Sequence, residues 1–399
     1  MPAKIFYLII KMFKGKKIIT LLMMIQIFIS LLLFNISFAR INHYLTITNI
    51  VKSTKISNSI YFVPDIRYFS DVNSEKPYKM IDEKINNLRN LEYFTNIKQL
   101  TGSINVNQNN PLITTLLMYN NKLIQDIKLP LSDGKWIKAY AENDKVPIII
   151  SHDLSKYYRT GDIIKIQCYK KDSSPETINT IVYGILDKPN NYLSLGAGGD
   201  IISIDQLFFR DTNIIIMPQI KGLDGFDQKA KFLFMKEGSN KSDTLSAWER
   251  SLKGIGYISP VSKMVDIYKI SLKKSLATEF SICIIVLLLT IVGIGGNNVL
   301  SLIFQEKEFA TYFMCGLKWS KCTFMILAKD ILVLVIPGIA TIFAIKYSIE
   351  PSMLGKSLLF NNYSFVVSFS IVLTIFLFTS VESILRLKKA SPISIIRGR

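Results

Sequence analysis

Few residue types in this sequence are spaced for chemistry. Its two histidines, His43 and His152, lie far apart, and neither has a ligand set nearby. Structural or surface roles are expected of them rather than metal ligation. The four cysteines, Cys168, Cys283, Cys315 and Cys322, form no Cys-x-x-Cys pair. That argues against a cysteine zinc site and against a disulfide framework. Residues 196–200 read Gly-Ala-Gly-Gly-Asp but lack the strand–glycine–helix setting of a nucleotide loop. No Gly-x-x-x-x-Gly-Lys-Ser/Thr loop, Gly-x-Ser-x-Gly elbow or His-Glu-x-x-His helix occurs. The scattered carboxylates cannot be paired from sequence. The expectation is a chain with no catalytic residues, no metal and no cofactor of its own.

The chain has 399 residues, 49% of them hydrophobic, and a formal net charge of +18. Its mean hydropathy is positive, and the excess sits in four long runs. A helix needs about 20 apolar residues to cross the hydrocarbon of a bilayer. The runs are 18–40, 280–304, 322–345 and 363–381. The third is the weakest, because Lys329 and Asp330 interrupt it and Lys329 must snorkel. The first could serve instead as a cleaved leader ending at Ser37-Phe38-Ala39. Its length, and the apolar-basic stretch from Lys4 to Phe13 before it, favour a span. The basic residues gather just outside the runs and not on an aromatic-rich module, so nucleic acid is not an expected partner.

Orientation follows from the short flanks. Residues 1–17, an amphipathic segment, carry five lysines and no acid, and the tail after 381 carries Arg386, Lys388, Lys389, Arg397 and Arg399. Four spans then place both termini in the cytoplasm. The long segment 41–275 lies outside the cytoplasm. It mixes strand and helix patterns: strands at 44–51, 59–63, 147–150, 163–169, 178–186, 213–217 and 231–235, and helices at 82–93 and 244–253. Asp153–Tyr158 reads as a helical turn, Gly161-Asp162 as a tight turn, and 107–110 and 187–200 as loops. The fold class is thus membrane α-helical, with four transmembrane helices, plus an extracytoplasmic α/β domain of two lobes.

Within the spans the polar groups are Gln26, Asn35, Asn297, Asn298, Lys329 and Asp330. Such groups face neighbouring helices as packing glue, or line a path for a substrate. Gly293, Gly295 and Gly296 allow close helix approach, and Pro337-Gly338 can kink the third span. Beyond the second span, 305–315 continues as helix, and Gly316 is placed to end it in a left-handed cap. Phe309 and Phe313 share a face, with Tyr312 beside them. An aromatic face on a short helix suits a partner's groove; burial at the lipid interface is the alternative. Glu308 can cap or orient this helix.

Three segments together resemble one family. Lys307-Glu308-Phe309-Ala310-Thr311-Tyr312-Phe313-Met314-Cys315-Gly316 resembles the basic-Glu-Ile-Gly-x-x-x-Ala-x-Gly segment of FtsX-like, MacB-type ABC transporter permeases. Phe309-Ala310 replaces its Ile-Gly, and Met314-Cys315 its Ala-Leu. Asp330 stands near the family's span-three glutamate. The tail from Ala390 to Arg397 is similar to the family's Ala-x-Pro-x-x-x-Leu-Arg ending. The run Pro147–Ser151, then Gly161-Asp162, then Val182-Tyr183-Gly184 resembles the core of the MacB-type outer domain, and Gly134 and Trp136 fit its Gly-x-Trp.

The resemblance implies a permease domain over 276–399 and a mechanotransmission mechanism. In it a separate ABC ATPase binds the ATP, two permeases (two copies, or a copy and a paralogue) pair in the bacterial cell membrane, and helix motion works the outer domain. It implies ATPase coupling through Glu308, Phe309, Tyr312, Phe313 and Gly316. The outputs it implies are extrusion or extraction of an amphipathic substrate, such as an antimicrobial peptide or a lipid, or activation of a cell-wall hydrolase without transport. The size of the 41–275 segment favours the first.

Overall fold

The computed structural model describes residues 17–65, 76–107, 110–138, 145–169, 174–195, 203–210, 212–223, 225–314, 316, 319–349 and 358–389. Two compact units divide the chain: one takes Tyr44–Ser271, the other the residues up to His43 and from Leu272 onward.

The first element, α1 (Lys17–Ser53), supplies residues to both units. This corrects the reading of 44–51 as a strand. Ile47, Ile50 and Val51 are buried while Leu45 is exposed, a helical periodicity and not an alternating one. A helix already nucleated extends at little cost, so the β-branched residues here do not end it.

The α/β unit then runs β1 (Ile60–Pro64), α2 (Lys76–Asn86), β2 (Leu91–Phe94), β3 (Ile97–Asn107), β4 (Asn110–Tyr119), α3 (Asn121–Asp126), β5 (Leu131–Gly134) and β6 (Val146–Ile150). It continues with β7 (Ile163–Tyr169), β8 (Pro175–Leu186), β9 (Asn191–Leu193), β10 (Phe208–Arg210), β11 (Ile214–Pro218), β12 (Phe226–Asp227), β13 (Lys231–Met235), α4 (Lys241–Leu252) and β14 (Gly256–Pro260). Helix 82–93 is corrected in part. The helix ends at Asn86, Asn90 turns the chain at φ 63°, and Leu91 opens a strand. The stretch 187–200, read as loop, contains β9.

The larger sheet closes on itself. β3 pairs with β4, β4 with β11, β11 with β6, β6 with β8, β8 with β7, and β7 with β3. The six strands form a small barrel, with β12 and β5 attached to its rim strands β3 and β8. Closure removes the free edges these six strands would otherwise present. Ile104, Leu116, Ile148, Ile164, Ile166, Cys168, Val182, Ile215 and Met217 belong to one buried cluster that fills it. Strand β7 alternates between this interior and solvent, whereas β6 and β11 are buried along their whole length. Their other face, with Ile149, Ile214 and Ile216, joins a second cluster that includes Tyr61, Tyr93, Tyr119, Phe232 and Phe234.

The smaller sheet has the order β14-β1-β13-β2. Its residues alternate between two layers. Tyr61, Val63, Phe232 and Phe234 join the second cluster, while Ile60, Phe62 and Leu233 pack on Ile81, Ile85 and Leu88 of the α2 region and Trp248 and Leu252 of α4. Lys231 lies on this helix side, 2.9 Å from the Asp82 carboxylate and 4.9 Å from the centre of the Phe94 ring. Such a charge tolerates burial because it is paired.

Three tyrosines of the second cluster predict the alkaline limit of this unit. Burial pushes the phenols of Tyr61, Tyr93 and Tyr119 well above the ordinary tyrosine range. Tyr119 donates to the Leu193 carbonyl at 2.6 Å, and Tyr93 to Asp126. An unfolded tyrosine ionises near about pH 10. A folded-state pKa raised above that value contributes stability that is complete below about pH 10 and falls as the pH rises further. Alkaline titration followed by tyrosinate absorbance and near-ultraviolet circular dichroism is therefore expected to show these three phenols ionising together with loss of tertiary structure. Ionisation of all three with the circular dichroism intact would contradict this packing.

In the other unit α1 is accompanied by α5 (Val261–Met314), α6 (Trp319–Ala344) and α7 (Asn362–Lys389). Three helical stretches, Ile18–Ser53, Val261–Gly293 and Ile331–Ile349, are long and apolar enough to cross a membrane, and Asn362–Thr374 is a shorter apolar stretch. Met23, Ile27 and Leu31 of α1 pack on Val333 and Leu334 of α6 and on Val372 of α7. Phe34 of α1 packs on Cys283 and Leu287 of α5, with Phe280 beside them. Leu21, Leu22 and Ile25 of α1, and Ile284, Ile285, Leu288, Leu289 and Val292 of α5, are exposed. Apolar faces of this extent suit hydrocarbon and not water, so the chain is a membrane protein.

Pro337 lies within α6, which stays continuous around it. The Thr341 hydroxyl donates to the Pro337 carbonyl at 2.8 Å. A Cβ on Gly338 would meet the Phe369 ring of α7 at 3.0 Å, so this glycine permits close approach of the two helices. A Cβ on Gly293 would meet Gln26 at 3.5 Å, whereas one on Gly296 would meet nothing within 4 Å.

Candidate functional site

The coupling residues read from sequence lie at the end of α5. Its backbone is helical through Asn297, Asn298, Glu308, Phe309, Tyr312 and Phe313 to Met314. Gly316 follows with φ 90°, and among the described residues no atom lies within 4 Å of where its Cβ would stand. The positive φ is the conformation a left-handed cap requires and glycine adopts without strain. Cys315 and the side chains of Asn297, Asn298, Glu308, Phe309, Tyr312, Phe313 and Asp330 lie outside the described part. Lys329 is buried in α6.

A second constellation surrounds residues 35–42 of α1. Asn35 is buried and donates through Nδ2 to Ser368 of α7 at 2.8 Å, and also to the Leu31 carbonyl. Asn42 donates to Ser364 of α7 at 3.0 Å. The Leu359 amide, just before α7, donates to the Ala39 carbonyl at 3.1 Å. Towards α5, the Arg40 guanidinium pairs with Glu279 and touches the Ser275 hydroxyl. Ser37 donates to the other Glu279 oxygen at 2.9 Å, and Ser275 donates to Glu279 at 3.2 Å. Polar side chains thus join α1 to α5 on one side and to α7 on the other. In sequence, Arg40 and Glu279 stand at the adjoining ends of the first two apolar runs. Opposite charges closing consecutive antiparallel runs were the available cue to their pairing.

In the α/β unit, the motif glycines Gly134 and Gly184 turn out to be partners across β5 and β8. Gly134 has φ 82°, and a Cβ there would stand 2.2 Å from the Tyr183 carbonyl oxygen. Trp136, two residues on, donates to the Ile124 carbonyl at 2.7 Å. This motif is a packing device. Lys55, after α1, pairs with Asp126 at 3.3 Å, and Asp126 also accepts from Tyr93. The Asp126 carboxylate raises the Lys55 ammonium above its ordinary range.

His43 is buried in α1; the His152 amide donates to Asn190 in the turn after β6. Cys168 and Cys283 are buried free thiols. Among the described residues no three His, Cys, Asp or Glu side chains gather as a metal site would need. The glycine-rich stretch 196–200 lies outside the described residues. What the described polar groups can do is hold helices and strands together.

No protein-family model and no curated protein matches the chain. Among solved structures it is similar to the periplasmic region of MacB from Actinobacillus actinomycetemcomitans, at 10% identity and a TM-score of 0.31, over 57% of this chain and 97% of that one. It is also similar to the extracellular domain of the noncanonic ABC-type transporter YknZ from Gram-positive bacteria, at 12% identity and a TM-score of 0.29, over 49% of this chain and 91% of that one. Likeness at this level does not carry function from one chain to another.

Proposed function

We propose that this chain is the membrane permease subunit of a mechanotransmission-type ABC transporter. The observation that carries the reading is the order of its parts. One apolar helix precedes an α/β unit of Tyr44–Ser271, and three helices follow it. The first of these runs past its apolar stretch to the Glu308–Gly316 segment, which resembles the family's ATPase contact.

In this reading four helices span the bacterial cell membrane, both termini are cytoplasmic and the α/β unit is outside. The ATP is bound by a separate ABC ATPase, and the chain pairs with a second copy or a paralogue. It has no catalysis, cofactor or metal of its own, and it extrudes or extracts an amphipathic substrate such as an antimicrobial peptide or a lipid.

Orientation is the part most directly tested. In intact cells, a membrane-impermeant thiol reagent is expected to label an Asn109→Cys variant and to leave Cys315 and Cys322 unlabelled. Purified alone, the chain is expected to show no ATP hydrolysis. External labelling of Cys315, or hydrolysis abolished by a mutation in this chain, would overturn the reading.

A further inference from the structure

The pairing of Arg40 with Glu279 is more than helix glue, because of where it sits and how completely it is built. Arg40 closes the apolar run of α1, and Glu279 directly precedes that of α5. Each helix contributes a charge and a hydroxyl one turn away: Ser37 and Arg40 on α1, Ser275 and Glu279 on α5. The carboxylate is filled on both oxygens, one by the guanidinium and Ser275, the other by Ser37. The two side chains are only 33% and 15% exposed. At the edge of an apolar run, separating these charges would leave each without its counter-ion in a poorly solvating environment. The arrangement therefore resists sliding or rotation of one helix along the other more than the apolar contacts beneath it, which strand no charge when displaced. Phe34 and Phe280 below the pair meet edge to face, with ring centres 6.5 Å apart, a contact that tolerates small displacements.

We infer that Arg40 and Glu279, steadied by Ser37 and Ser275, are positioning residues that latch the first two spans into one rigid pair. A displacement applied at the Glu308–Gly316 end of α5 then moves α1 with it. The inference rests on the permease reading for the source of that displacement. Without the latch, an ATPase would still bind and turn over, but α5 would slide against α1 and the motion would dissipate.

The test uses the full chain in lipid nanodiscs, with the four native cysteines replaced and spin labels at Leu22→Cys and Val292→Cys, both exposed positions. The partner is the ATPase that co-purifies with the wild-type chain. The wild-type distance distribution is expected to have a single peak with and without ATP. Arg40→Ala, and the near-isosteric Glu279→Gln, are expected to give a second peak on adding ATP, with ATPase binding and hydrolysis unchanged. The exchange Arg40→Glu/Glu279→Arg is expected to restore the single peak. Single peaks in both single variants with ATP would overturn the latch, as would failure of the exchange to restore one. Should no ATPase co-purify, the permease reading falls. The latch is then read from the ATP-free distributions: a broader distribution in Glu279→Gln than in wild type supports it, and equal widths overturn it.

Discussion

Gly134→Ala is expected to lower the melting temperature of the α/β unit by on the order of 10 °C, whereas Gly161→Ala should lower it by a few degrees only. Both glycines have positive φ, 82° and 95°. An alanine in the left-handed region costs about 1–2 kcal/mol in either place. The difference lies in what surrounds the new methyl group. At Gly161 nothing stands within 4 Å of the Cβ position. At Gly134 the Tyr183 oxygen stands at 2.2 Å and the Gly184 Cα at 2.7 Å, both backbone atoms. They cannot turn aside as a side chain would, because β8 is held in register by β6 on its other edge and by β7 further along the edge it shares with β5. Relief must come from moving β5 outward, which breaks the bond from the Lys135 amide to the Tyr183 carbonyl. Overpacking of this kind adds about 1–3 kcal/mol, for a total of about 2–5 kcal/mol. Against a domain stability of about 5–15 kcal/mol that is a large fraction, and at about 2–4 °C per kcal/mol it yields the stated shift. Thermal melts of the two variants, in the same detergent and monitored by near-ultraviolet circular dichroism, make the comparison. Equal shifts would show that backbone strain alone matters at Gly134.

The same glycine shows what the sequence discloses and what it withholds. Gly134 and Gly184 can each be recognised as motif residues, but that they face each other cannot, because 49 intervening residues separate them and pairing across β5 and β8 is not local. Strands with dense aliphatic or aromatic side chains are legible: β6 (Val146–Ile150), β7, β8, β11 and β13 all fall where the alternating or continuous apolar pattern puts them. The longest hairpin, β3 with β4, is not. Its outward residues, among them Thr101, Ser103 and Asn105, make the run look like a polar loop. Its buried residues carry the signal, Leu100, Ile104, Leu116 and Met118 on one face and Ile97, Leu117 and Tyr119 on the other. Barrel closure is further out of reach, since it depends on β7 returning to β3. At 44–51 the error had another origin. Isoleucine, threonine and valine favour a strand locally, but the helix arriving from the apolar run extends through them. The polar joints of the membrane unit were half legible: Asn35 stood out as a polar residue in a span, but Ser364 and Ser368, which answer Asn42 and Asn35, carry no mark of their own.

Truncating the aromatic face of α5 is expected to separate coupling from folding. If Phe309 and Phe313 dock in an ATPase groove, the double variant Phe309→Ala/Phe313→Ala loses about 2–4 kcal/mol of binding, within the range for buried interface anchors. Converted at about 1.4 kcal/mol per decade, that is a loss of roughly 30- to 700-fold in affinity. The helical repeat places the two residues four apart on one face, and the helix that bears them runs without interruption from Val261 to Met314. Alanine is the strongest helix former, so the substitution removes the rings and keeps the helix. The α/β unit has its own buried clusters. The variant should therefore reach the membrane in normal amount and keep a protease-resistant α/β unit, yet fail to pull down the ATPase. Burial of the same rings at the lipid interface makes the opposite forecast: lower abundance in the membrane, with the ATPase contact per molecule unchanged. A pull-down normalised to membrane abundance separates the two. A second variant, Gly316→Ala, bears on the same segment from its backbone. Its φ of 90° penalises any Cβ, and no described neighbour adds to the cost. It should disturb the exit from the helix while leaving both rings in place. Loss of the ATPase in the ring variant with retention in the Gly316 variant would locate recognition in the aromatic face. Retention in both, with activity intact, would remove these residues from the coupling surface and leave the permease reading to stand on topology alone.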